Sequence, residues 1–107
     1  MEYKDNVIVV HTRLGKRVLR EVEAAFQEVM GPDFVVTLTD NLNARAGLSL
    51  HPNANAWDFR HGVHWDPPLM SREEAHRIKD GIVRRLGADF DVVVEATHLH
   101  VEFDPKR

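Results

Sequence analysis

The sequence predicts an α+β fold, a small, mostly antiparallel sheet with two helices packed on one face and a metal site on the other. Two stretches carry apolar residues at helical spacing, and five shorter ones are β-branched or alternate with a period of two. Their order lacks the strict alternation of strand and helix that a doubly wound sheet requires. With 107 residues the chain is about one domain long, and residues 1–107 read as one domain without repeats or low-complexity tracts.

Asn6 to His11 reads as a short strand, continuous and β-branched. From Thr12 the period changes: Leu14, Val18, Val22, Ala25, Phe26 and Val29 form an apolar stripe, with Arg17, Arg20, Glu21 and Glu28 off it. Gly31-Pro32 ends this helix, the glycine suiting a positive-φ cap and the proline being unable to continue. Phe34 to Leu38 reads as a second strand. Thr39 to Pro52 has no apolar period and reads as a loop, long enough for its size to suggest function. Ala54 to Phe59 is a third strand, and Arg60 to Met70, with Gly62, His64, Trp65 and Pro67-Pro68, a second irregular loop. Ser71 and Glu74 have capping-box spacing; Ala75, Ile78, Ile82 and Leu86 continue a helix that Gly87 closes. Phe90 to Ala96 and His98 to Phe103 are strands, the last alternating Leu99, Val101 and Phe103 with His98, His100 and Glu102.

Composition removes several classes of function. Hydrophobic residues make up 43% and charged residues 29%, so the chain should fold. The net charge is -3 with basic residues scattered, which argues against nucleic-acid partners. No apolar run is long enough for a membrane span, and the opening Met-Glu-Tyr-Lys-Asp-Asn lacks a signal peptide's apolar region, so synthesis in the cytoplasm is expected. There are no cysteines and seven histidines, leaving imidazole and carboxylate as the strong zinc ligands.

His98 and His100 point to the same side of a strand, a spacing that suits a metal, although alone it equally fits an exposed polar face. A third and fourth group can come from Ser49-Leu50-His51-Pro52-Asn53-Ala54-Asn55-Ala56-Trp57-Asp58, where a histidine in a loop precedes a carboxylate in the next strand. A set of His, Asp and His would leave a coordination position open for water, as catalytic zinc requires. Glu95 and Glu102 are the nearest carboxylates able to take a proton. Of the remaining histidines, His11 and His76 read as solvated, and His61 and His64 as bordering the cleft without a catalytic role. Trp57 reads as core and Trp65 as cleft wall.

Ser49 to Asp58 resembles the S-x-H-x-x-G-x-A-x-D signature of the D-Ala-D-Ala carboxypeptidase, dipeptidase and endolysin family of zinc peptidases, to which the Hedgehog signalling domain is structurally related. Ser49, His51, Ala56 and Asp58 match, and Glu95-Ala96-Thr97-His98-Leu99-His100 resembles the family's acidic residue shortly before a final His or H-x-H. Two positions depart from the pattern: Ala54 replaces a glycine, and Thr97 stands three before His100, where many relatives carry Asp. The resemblance implies a Hedgehog-like peptidase fold in which His51, Asp58 and His100 hold Zn2+. Glu95 would be the general base and His98 a neighbouring catalytic histidine, the two histidines being interchangeable by motif. Arg45 and Ser49 would contact substrate; Glu102, from its place on the same strand face beyond His100, is expected to hydrogen-bond a ligand. The implied activity is hydrolysis of peptidoglycan stem peptides by a monomer of phage or prophage type, as a D,D-carboxypeptidase or an L-Ala-D-Glu endopeptidase. It would act at the bacterial cell wall, holin-released or virion-borne. An alternative is a zinc-binding structural or interaction domain with little hydrolysis, to which Thr97 points. A DNA-nicking reading of His98-Leu99-His100 would need a nucleophilic tyrosine, and the chain has only Tyr3.

Overall fold

The computed structural model describes residues 1–5, 7, 12–41 and 55–105. Within them the order is β1 (Glu2–Tyr3), α1 (Arg13–Met30), β2 (Thr37–Asn41), β3 (Asn55–Arg60), α2 (Arg72–Leu86), β4 (Phe90–Val94) and β5 (His98–Phe103). The strands form one sheet in the order β1-β2-β3-β5-β4.

The sheet is mixed, which corrects the expectation of a mostly antiparallel one. β1 runs parallel to β2, whereas β2–β3, β3–β5 and β4–β5 are antiparallel. The cause is α1: a helical crossover returns the chain to its starting edge, so the strands on either side of it point the same way. α2 does the same between β3 and β4, and β5 then turns back tightly into the gap between them.

Both helices begin and end where side-chain chemistry directs. Thr12 Oγ1 accepts from the Gly15 N–H at 2.9 Å, satisfying a free donor of the first turn of α1. At α2 the capping box is complete, with the Glu74 N–H donating to Ser71 Oγ at 3.0 Å and the Ser71 N–H to Glu74 Oε1 at 2.8 Å. Gly31 and Gly87 cap the two C-termini through N–H bonds to Gln27 and Val83. The apolar stripes Val18, Val22, Ala25 and Phe26 of α1 and Ala75, Ile78, Ile82 and Leu86 of α2 join Leu38, Trp57, Phe59, Phe90, Val92, Leu99 and Val101 in one buried cluster. The helices therefore lie on the same face of the sheet, with α2 approaching α1 at Gly81 beside Ala25.

Three element boundaries differ from expectation by more than one residue. The described part of the N-terminus is strand at Glu2–Tyr3, with Val7 outside it; Asn6 and residues 8–11 of the expected strand lie outside the described residues. β2 is displaced from Phe34–Leu38 to Thr37–Asn41, because the Phe34 N–H closes a turn onto the Gly31 carbonyl and because Asp40 and Asn41 pair with Asp58 and Trp57. Sheet pairing here overrides the poor strand propensity of Asp and Asn. β4 stops at Val94, since the Glu95 N–H donates to the His98 carbonyl at 2.8 Å and closes the hairpin. Among the described residues no helix is long and apolar enough to cross a membrane.

Ser71→Ala removes one half of the capping box and unpins the other. It should cost about 1 kcal/mol of unfolding free energy, read as a lower urea midpoint at an unchanged slope.

Candidate metal centre

The site follows from the two-residue period of β3 and β5. Trp57, Phe59, Leu99 and Val101 are buried against the helices, so Asp58, His98 and His100 must project from the opposite face. Register then sets the neighbours: Asp58 pairs with His100, and Arg60 with His98. A bulge at Thr39 of β2 lets its hydroxyl donate to the Asp58 carbonyl at 3.1 Å, tying the third strand to this position. Glu95 joins from the hairpin turn between β4 and β5, three residues before His98.

One donor atom from each of Asp58, Glu95, His98 and His100 lies within 4.8 Å of the others. Asp58 Oδ1 is 2.7 Å from His100 Nδ1 and 3.3 Å from His98 Nε2. Glu95 Oε1 is 3.2 Å from His98 Nε2 and 3.6 Å from His100 Nδ1. The nitrogens facing away are also engaged. His98 Nδ1 lies 2.9 Å from Thr97 Oγ1, and His100 Nε2 lies 3.2 Å from Glu102 Oε1. Partners on the far nitrogens orient the rings so that the near nitrogens, Nε2 of His98 and Nδ1 of His100, face a shared point. Two imidazoles and two carboxylates around one point form a donor set that could hold a divalent metal ion. Asp91, Glu102 and Asp104 form a second group of carboxylates without a histidine.

The hydrogen bond to Asp58 raises the His100 pKa to about 9, outweighing burial, which acts in the opposite direction; the bond to Glu102 adds to the rise. A metal ion entering the cluster must displace that proton, so affinity should climb as pH approaches about 9.

His61 is the residue whose role the sequence concealed. It is only 1% exposed, and both ring nitrogens are bonded: Nε2 donates to the Glu95 carbonyl at 2.8 Å, and Nδ1 accepts from the Val63 N–H at 3.1 Å. That arrangement requires the neutral ring, and burial lowers its pKa accordingly. His61 therefore anchors the turn that carries Glu95, although it neither faces the donor point nor lies near Glu95 in sequence. The loop that follows is held by Gly62, whose carbonyl accepts from the Trp65 and Leu69 N–H groups. At φ +61°, with the Leu69 Cβ 2.6 Å from where a Cβ would sit, only glycine fits there.

Of the residues singled out from sequence, Asp58, Glu95, His98 and His100 converge, and Glu102 stands behind His100. Arg45, Ser49 and His51 lie outside the described residues, as does His11. His76 is exposed on α2, Trp57 is core, and Trp65 is 41% exposed at the rim of a cavity beside Asp58 and His98. Comparison with protein-family models, with curated proteins and with solved structures gives no match for the chain.

The raised His100 pKa sets a pH dependence for the metal-free fold. Its stabilising contribution is complete below the unfolded value of 6.5 and disappears as pH rises through about 9. Chelator-treated protein should accordingly lose stability between those limits relative to His100→Gln, the difference being measured by urea unfolding at pH 6 and pH 9.5. His61→Ala leaves the Glu95 carbonyl and the Val63 N–H without these partners in a partly buried setting. A loss of about 1–3 kcal/mol is expected, with faster amide exchange at residues 95–97 as its local signature.

Proposed function

We propose that the protein is a zinc-dependent peptidase that hydrolyses peptidoglycan stem peptides at the bacterial cell wall. The observation that supports this most is the convergence of His98, His100, Asp58 and Glu95 on one face of the sheet, with the far ring nitrogens already engaged. The resemblance of Ser49–Asp58 and Glu95–His100 to zinc peptidases supplies the substrate class. In this reading Asp58 and a C-terminal histidine hold zinc together with His51.

Zinc bound there would supply Lewis acidity, polarising the scissile carbonyl and making a water easier to deprotonate. Glu95 is the most exposed of the four groups and sits on a turn, where a carboxylate can meet both water and substrate. It takes the proton from the attacking water and returns it to the leaving amine. His98 flanks Glu95 and orients its carboxylate. Glu102 holds the His100 ring in place.

The second reading, a zinc-binding domain without hydrolysis, is favoured by one distance. Glu95 Oε1 is as close to His98 as Asp58 Oδ1 is, and a fourth protein ligand would close the coordination sphere as in structural zinc sites. Glu95→Gln separates the two. On the peptidase reading it retains stoichiometric zinc and loses about 10²- to 10⁴-fold in hydrolysis of a stem peptide, whereas a ligand role predicts loss of zinc. Asp58→Ala should lose the metal on either reading, by metal analysis after dialysis.

A further inference from the structure

β4 is an edge strand of the sheet, and its outer side is open. The Glu95 N–H donates to the His98 carbonyl and the Asp89 carbonyl accepts from the Asp104 N–H, both at 2.8 Å. The odd-numbered residues along this strand thus turn their backbone groups toward β5. Val92 and Val94 turn theirs outward, about 6.7 Å apart, and among the described residues nothing pairs with them. The strand carries no lysine or proline that would block pairing. Val93, opposite His100, is 48% exposed on the sheet face that carries the metal cluster.

On the helix face the same edge is basic. Arg72, His76, Lys79 and Val83 fall at i, i+4, i+7 and i+11 along α2 and so form one stripe. α1 lies against a different side of α2, where Gly81 meets Ala25 and Arg84 and Arg85 pair with Glu28. Arg72 shares a cavity of about 350 Å³ with Val94, Glu95 and Ala96, closed by Val63 and His64, which sets the stripe over the open edge. The carboxylate in that cavity, Glu95, is bonded to His98. Among the described residues neither Arg72 nor Lys79 is ion-paired.

We propose that the β4 edge docks an extended acidic segment of a partner protein, added to the sheet as a sixth strand. Three features select this occupant. Outward N–H and C=O groups repeating every two residues match an extended backbone. Side chains of an added strand alternate between the faces of the sheet. One set meets Arg72 and Lys79, where carboxylates are favoured, and the other meets Val93, where apolar groups are. A second copy of this chain fits less well, because antiparallel self-pairing about Val92 would set the basic stripes of two α2 helices side by side. The docked segment ends against the turn that carries Glu95, and the inference stands independently of the reaction proposed for the metal centre.

The test uses two N-acetylated, C-terminally amidated peptides, Glu-Val-Glu-Val-Glu-Val-Glu and its lysine counterpart. A third is the acidic peptide N-methylated at every peptide nitrogen, which keeps the charges and removes the donors. Binding is measured by calorimetry at low salt, with amide exchange followed in parallel. The parent should bind the acidic peptide at least about tenfold more tightly than the basic one, since attraction at two exposed cations is replaced by repulsion. N-methylation should cost at least about tenfold, and exchange should slow at Val92 and Val94 but not at Glu2 and Tyr3 on the opposite edge. Arg72→Gln combined with Lys79→Gln should bring the acidic-to-basic ratio below about threefold with zinc content unchanged. Equal binding of the two peptides, an undiminished ratio in the double variant, protection at Glu2 and Tyr3 instead, or binding of neither peptide overturns the proposal. So does concentration-dependent dimerisation that protects Val92 and Val94 without peptide, which would make a second copy the occupant.

Discussion

The pairing of Asp58 with His100 across β3 and β5 is the contact on which the rest of the site depends. It places a carboxylate and an imidazole 2.7 Å apart in a half-buried setting, where their attraction outweighs the cost of removing the charged ring from water. A shift of one residue in β3 would turn Asp58 into the helix face and expose Trp57, and the same shift in β5 would do so to His100 and Leu99. The burial of Trp57, Phe59, Leu99 and Val101 is thus what holds the polar cluster in register, so the apolar core and the candidate metal site are two consequences of one alignment.

Around that pair the fold supplies groups from well-separated parts of the chain. Glu95 comes from a hairpin turn whose backbone is held by the buried ring of His61, 34 positions earlier. Lys4 follows a two-residue strand, Glu2–Tyr3, that exists because α1 returns the chain beside it. Arg60 is steadied by Trp65 from a loop that Gly62 alone can form.

The periodic elements were legible without the fold. The stripe of α1 from Val18 to Phe26, the capping box of Ser71 and Glu74, and the alternation of Leu99 and Val101 with His98 and His100 each express a local period or a local hydrogen bond. Such features are written into neighbouring residues. The pairing of His98 with His100 on one face of a strand, a spacing that suits a metal, was legible for a related reason, since donor chemistry and strand period are both local.

What only the tertiary structure decided is everything that needs two distant segments at once. Thr39, Asp40 and Asn41 look like loop residues and become strand because β3 offers them partners. Glu2 and Tyr3 look like a polar tail and form the parallel edge because α1 brings β2 alongside. His61 looks like a cleft histidine and proves to be a buried strut beneath Glu95. The sequence by itself determined which residues could serve as helix, strand and ligand. Their partners were decided by sheet register and crossover, because a hydrogen bond or ion pair between residues far apart in the chain has no signature in the neighbours of either one.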